Sequence, residues 1–147
     1  MEAVVLIGLQ GSGKSSFCQQ HLADTHVRIN LDMLRTRSRE SILFEACLKA
    51  KQPCVIDNTN PTRAERQRYI AEAKAAGFAV HGYYFQSQIE ACKRRNAARD
   101  RVVPLPGLLG TYNRLEAPVL SEGFDKLYYV KLKEPHGFAI EEWKDEV

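Results

Sequence analysis

The eight residues Gly8-Leu9-Gln10-Gly11-Ser12-Gly13-Lys14-Ser15 match G-x-x-x-x-G-K-[ST] at every fixed position. The chemistry that suits this spacing is the holding of a phosphate chain. Glycines at 8, 11 and 13 let the backbone turn sharply and aim its N–H groups into a concave anion site. A helix starting at Lys14 would add the partial positive charge of its N-terminus. Lys14 is placed to neutralise β- and γ-phosphates and the Ser15 hydroxyl to ligate Mg²⁺, with Ser12 and Ser16 completing the cradle. ATP and Mg²⁺ are therefore the expected cofactors. The guanine-reading Asn-Lys-x-Asp of GTPases is absent, and 147 residues leave little room for the coupling modules of a motor. Kinase chemistry is favoured.

Other residues would have to supply that chemistry. Asp32 has two roles open to it: a general base that takes the proton of an attacking hydroxyl, or a helix cap. Arg35, three residues on, is either a contact to a substrate anion or a solvated helix residue. Asp57 ends the apolar run PCVID, where an acid could hold Mg²⁺ directly or through water; the alternative is a turn-forming Asp in DNTNP. Asp57 and its neighbour Asn58 are also counted as substrate contacts. Lys93, Arg94, Arg95, Arg99 and Arg101 concentrate positive charge on one predicted helix and its end, and Arg95 and Arg99 share a face at i,i+4. Such a helix is either a lid whose arginines offset charge on a transferring phosphoryl group, or a solvated face.

The elements that must position these residues alternate between strand and helix. Ala3 to Gly8 reads as a buried strand feeding the glycine loop, and Lys14 to about Ala23 as a helix. Strands follow at His26 to Asn30, Pro53 to Asp57 and from Phe78, with a last one from Phe124. Between them, helices are expected over Ser38 to Ala50, from an Asn60 cap with Pro61 at the first position to Ala76, over Gln88 to about Arg99, and over Leu108 to Leu115 after the proline-marked break VVPLPG. Alternation of this kind implies parallel pairing and a three-layer α/β fold, with Asp32 and Asp57 on the same sheet rim as the glycine loop. One domain over residues 1–135 is expected, followed by a short C-terminal tail at 136–147.

Composition excludes little but agrees. With 44% hydrophobic and 27% charged residues the chain can build a core, and no apolar run reaches transmembrane length. Cys18, Cys47, Cys54 and Cys92 form no CxxC pair and have no histidine at zinc-ligand spacing. They are expected as free thiols, and with no basic leader at the N-terminus a cytoplasmic location is expected. A net charge of +3 permits a polyanionic partner without requiring one.

Taken in order, GLQGSGKSSF, NLDMLR, VIDNTNPTRAERQRYIAEAKAAG, CKRRNAAR and VPLPGLLGTYNRLEAPVLSEGF resemble the kinase domain of polynucleotide 5′-hydroxyl kinases, phage-type and mammalian. The resemblance spans about residues 3 to 130 and is carried most specifically by IDNTNP and by Glu116-Ala117-Pro118 with Glu122-Gly123-Phe124. It implies a three-layer P-loop kinase fold, with a central, mostly parallel sheet between helices and an arginine-bearing lid helix. It implies that Asp32 is the general base, Arg35 the arginine near the acceptor's 3′-phosphate, Arg95 and Arg99 the lid arginines, and Lys14 and Ser15 the nucleotide and metal residues. Gln10 stands where the family often has proline, and Leu31 where an arginine is frequent.

The function implied is transfer of the γ-phosphate of ATP to the 5′-hydroxyl of DNA or RNA. No phosphatase Asp-x-Asp-x-Thr/Val and no ligase Lys-x-Asp-Gly occurs in these 147 residues, so for a complete chain a phosphatase or ligase is expected as a separate partner. Two rivals are a kinase of a small hydroxyl compound such as a nucleoside or sugar, and a non-catalytic ATP-binding module.

Overall fold

Both faces of the first strand are apolar, and that decides the layering. The computed structural model describes residues 1–99, 102–133 and 137–143. In β1 (Glu2–Ile7), Ala3, Val5 and Ile7 enter one buried cluster, while Val4 and Leu6 enter another on the opposite face. Strands buried on both sides need helices on both sides. The first cluster is covered by α3 (Arg37–Ala50) through Phe44, Cys47 and Leu48 and by α4 (Arg63–Ala75) through Tyr69, Ile70 and Ala73. The second is covered by Phe17, Cys18 and Leu22 from α1 (Lys14–Phe17) and the π-helical turn Cys18–Leu22 that continues it.

The sheet has six strands in the order β2-β3-β1-β4-β5-β6, adding β2 (Val27–Ile29), β3 (Cys54–Ile56), β4 (Ala79–Phe85), β5 (Lys126–Lys133) and β6 (Gly137–Glu142). The pairs β2·β3, β3·β1, β1·β4 and β4·β5 are parallel. The expected mixed α/β fold with a mostly parallel sheet between helices is what forms. Because β2, β3 and β1 are adjacent, the chain leaves their carboxyl ends side by side, which gathers the glycine loop, Asp57 and Asn30 to Asp32 on one rim.

Three expectations are corrected. Residues expected within the tail form β6, antiparallel to β5 with Lys133 opposite Gly137 and Tyr128 opposite Glu142. It is held by Phe138, edge-on to Phe17, and by Trp143, which packs on Tyr84 and Tyr129 and donates to the Pro118 carbonyl at 3.0 Å. The chain from 144 on, and Arg101, lie outside the described residues. Second, Asn60 does not cap α4: its φ of 45° is left-handed, whereas a cap needs extended backbone. Thr62 caps instead, accepting from Glu65 N at 3.2 Å, and buried Asn60 donates to the Leu6 carbonyl at 2.7 Å. Third, the last large helix, α6 (Leu105–Arg114), starts earlier than expected, since Pro106 sits in a first turn where no N–H is required.

The segment from Glu116 to Glu122 is a brace for α4. Arg66 is fully buried, with a two-point pairing to Glu122 (Nε to Oε1 2.9 Å, Nη2 to Oε2 3.1 Å) and a hydrogen bond to the Asn60 carbonyl. Glu116 accepts from Arg63 N at 2.8 Å at the helix start. A buried guanidinium needs all of these partners, so they fix the angle at which α4 meets the rim. No helix among the described residues is long and apolar enough to cross a membrane.

Candidate active site

The phosphate loop closes on itself and on α5 (Ile89–Ala97). Gly11 and Gly13 have φ of 80° and 102°, which side chains disfavour. A Cβ on Gly11 would also lie 2.6 Å from the Cys92 carbonyl, so glycine is what allows α5 to press against the loop. Arg95 Nε donates to the Gly11 carbonyl across that contact. Lys14 is buried and its ammonium donates to the Gly8 carbonyl at 2.9 Å and the Leu9 carbonyl at 2.7 Å. Burial lowers its pKa to about 8, opposed by the nearby Asp57 carboxylate. The ammonium thus sits under-compensated at the floor of an anion cradle.

Asp57, after β3, lies beside the loop: Ser15 Oγ donates to its Oδ2 at 3.1 Å. A hydroxyl and a buried carboxylate this close are the hard oxygen donors that Mg²⁺ prefers, and among the described residues no cluster of three or more His, Cys, Asp or Glu competes as a metal site. The donor set fits the ion. One residue that sequence reading missed shares this pair: Arg28 of β2 donates from Nε to Asp57 Oδ2 at 2.7 Å and from Nη2 to Ser15 Oγ at 3.3 Å. No local signal marks it, because the contact spans 29 residues.

Asp32 lies in the first turn of its helix but does not cap it. The cap of α2 (Leu31–Leu34) is Asn30, whose side chain accepts from Met33 N at 2.9 Å, and Asp32 lines the cleft in front of the loop. Arg35 goes elsewhere. It ends α2 with φ 77°, is exposed, and is absent from the cleft lining. In its place stand Arg37 and Arg68, organised by the fully buried Glu40. Glu40 Oε1 accepts from Arg37 Nη1 (3.0 Å), Arg68 Nη2 (2.7 Å) and Tyr69 Oη (2.8 Å), and Oε2 accepts from Asn58 Nδ2 (2.8 Å). Asn58 Oδ1 in turn accepts from Leu31 N at 2.9 Å, tying the Asp32 turn to this cluster. Asn58 thus acts as a strut between the two.

Arg95 and Arg99 both line the cleft, but not as neighbours on one helical face: α5 ends at Ala97 and Arg99 follows it. Arg114 of α6, paired with Glu65 at 3.1 Å, joins them. The cleft is about 680 Å³ and, among the described residues, is lined by six cationic side chains (Lys14, Arg37, Arg68, Arg95, Arg99, Arg114) against three carboxylates (Asp32, Asp57, Glu65). Gly11, Gly13, Ser15 and Ser16 also line it, whereas Ser12 is buried beneath. The four cysteines are buried free thiols; Cys18 and Cys92 lie close to Lys14, and burial pushes the Cys18 thiol up to about 12.

The chain is similar in sequence and in fold to several known proteins. The family described as an AAA domain matches residues 4–106. A Schizosaccharomyces pombe protein named bifunctional polynucleotide phosphatase/kinase is 30% identical over 138 residues, 90% of this chain. The chain spans 34% of that relative's length. Among solved structures, Chaetomium thermophilum Kti12 in complex with ADP-AlF3 superposes with a TM-score of 0.70 at 16% identity, covering 90% of both chains. A sugar kinase from Janibacter sp. gives 0.69 at 19% identity over 92% of this chain and 87% of that one. At such identities the structural likeness is one of fold, that of P-loop kinases.

Proposed function

We propose, for a chain that belongs to the AAA domain family, that it is an ATP- and Mg²⁺-dependent kinase acting on the 5′-hydroxyl of DNA or RNA. The observation that carries this reading is the cleft itself. Asp32, relieved of capping by Asn30, faces the same space as the phosphate loop, and the wall beyond it is arginine-rich. A polyanionic acceptor adds countercharge to such a wall, in which Arg37 and Arg68 share the single Glu40 carboxylate, while a neutral sugar adds none. The likeness to polynucleotide kinases in sequence supports the same acceptor.

Each step falls to named residues. Glycine-loop N–H groups and Lys14 hold the phosphate chain, Lys14 exchanging its two carbonyl partners for phosphate oxygens. Ser15 and Asp57 would hold Mg²⁺, which supplies charge neutralisation on the phosphates. Asp32 accepts the proton of the 5′-hydroxyl as its oxygen bonds to the γ-phosphorus; the bond to the β-phosphate oxygen breaks in line, giving ADP and a 5′-phosphate with no phosphoenzyme. Arg95 and Arg99 offset the charge of the transferring group.

Lys14 makes nucleotide binding pH-linked. Its free pKa near 8 is raised when phosphate oxygens surround it, so binding takes up a proton at pH 8.5 and affinity falls as pH rises from about 8. Calorimetry of ADP binding in two buffers of different ionisation heat reads that uptake directly, and Lys14→Met should abolish it.

The function is tested with γ-labelled ATP, Mg²⁺ and a panel of 5′-hydroxyl DNA and RNA oligonucleotides beside nucleosides and sugars. Label on oligonucleotide 5′ ends is expected. Label on a sugar or nucleoside alone would transfer the reading to the small-molecule kinases that share this fold, and no label on any acceptor would leave a nucleotide-binding module.

A further inference from the structure

The oxygen pair that would receive Mg²⁺ already receives a cation belonging to the chain. Arg28 reaches both members of the pair, Asp57 Oδ2 through Nε at 2.7 Å and Ser15 Oγ through Nη2 at 3.3 Å. The Asp57 side chain is 1% exposed and that of Arg28 38%. A carboxylate so deeply buried is costly unless a partner neutralises it, and arginine does so at every working pH. Lys14 is nearby but directs its hydrogen bonds to the Gly8 and Leu9 carbonyls and, more distantly, to Ser12 Oγ, not to Asp57. Among the described residues, Arg28 is therefore the cation in direct contact with Asp57.

A divalent ion on Asp57 Oδ2 would place two more positive charges within a few ångströms of the guanidinium, competing for the same lone pairs. Sharing that oxygen, the guanidinium and the ion would repel and each would hold it less well. Arg28 has somewhere to go. It borders a second recess of about 460 Å³, behind Ser15, whose other walls are Cys18, Gln19, Leu22, Ala23, His26 and Val55. Among the described residues no carboxylate lines that recess, so a withdrawn guanidinium gains solvent and not a rival ion pair.

We propose that Arg28 is an internal competitor for the metal: it keeps Asp57 neutralised in the metal-free chain and must be displaced for Mg²⁺ and nucleotide to load together. The proposal rests on the reading of Ser15 and Asp57 as the metal pair, but not on the identity of the acceptor. Arg28 is then a positioning residue for the metal site, setting how much Mg²⁺ is needed before the nucleotide is held.

The test is a Mg²⁺ titration at fixed concentration of a fluorescent ADP analogue, with no acceptor present, on the unaltered chain, Arg28→Gln and Arg28→Lys. Removing the competitor is expected to lower the half-saturating Mg²⁺ concentration about fivefold, ~1 kcal/mol. Arg28→Lys, which keeps the charge but not the two-point contact, should fall between. A second readout is the melting temperature. Without metal Arg28→Gln should melt below the unaltered chain, and Mg²⁺ with ADP should raise its melting point by more. Equal half-saturation in all three chains, or a higher Mg²⁺ requirement in Arg28→Gln, would overturn the proposal. Analogue binding by the unaltered chain that ignores Mg²⁺ would overturn it together with the metal assignment. Failure of the oligonucleotide assay alone would touch neither.

Discussion

Asp32→Asn is expected to lower phosphoryl transfer by about 10²–10⁴-fold, the contribution of one positioned general base, while ADP and ATP bind as before. The substitution keeps the size of the side chain and its place in the first turn of α2, where Asn30 carries the cap. What it removes is the capacity to accept a proton from the attacking hydroxyl. Single-turnover measurement with a 5′-hydroxyl oligonucleotide separates the two readings that the sequence leaves open. Loss of the chemical step with unchanged nucleotide affinity marks a base. Activity within about threefold of the unaltered chain would make Asp32 a helix-surface residue, since a positioned base contributes far more than that.

The parts of the site that could be read in advance are those whose chemistry is local. The phosphate loop needs its glycines and its Lys-Ser at fixed offsets, because backbone turning and helix start are decided within a few residues. Asp57 follows an apolar strand directly, so the strand's end places it. Arg35 and Arg37 show where local reading stops. They lie three and five residues after Asp32 in sequence, yet the left-handed backbone at Arg35 turns the chain, so that Arg37 and not Arg35 faces the cleft. Nothing in a five-residue window announces that turn, because a non-glycine residue with positive φ is held there by its surroundings.

The rest required partners distant in sequence. Arg28 meets Asp57 only because β2 and β3 pair in parallel with Ile29 opposite Ile56. The strand β6 reads as a tail because Gly137 to Glu142 is only six residues long, lies beyond Pro135 and ends in two acids, although it carries Phe138, Ala139 and Ile140. It becomes a strand by pairing with β5 and by burying Phe138 against Phe17, which is tertiary context, the usual arbiter of β structure. The helix of α5 stopped short of Arg99, so the expected shared face with Arg95 gave way to convergence on one cleft from two kinds of backbone.

Glu40 is where stability and acceptor binding meet, and Glu40→Gln is expected to cost both. Its fully buried carboxylate holds two guanidinia, a tyrosine hydroxyl and the Asn58 amide. Glutamine fits the space, but its amide nitrogen would face donors only, and Arg37 and Arg68 would repel with no charge between them. The loss should be about 2–3 kcal/mol by chemical denaturation, below the figure for a wholly buried pair because both arginines reach solvent. Burial alone would raise the Glu40 carboxyl, but hydrogen bonds from Tyr69, Asn58 and Arg37 hold it below its ordinary value of 4.5. A depressed folded pKa means that its stabilisation is complete above the ordinary value and fades as pH falls through the folded one. The stability difference between the two chains should therefore shrink in acid; a constant difference would assign the loss to packing. The second consequence is catalytic. With Arg37, Arg68 and the Asn58 strut loosened, KM for an oligonucleotide should rise several-fold while ADP affinity stays the same, because Lys14, Ser15 and the glycine loop make no contact with Glu40. A parallel loss of ADP affinity would mean that Glu40 only holds the fold together, and would remove Arg37 and Arg68 from the acceptor's path.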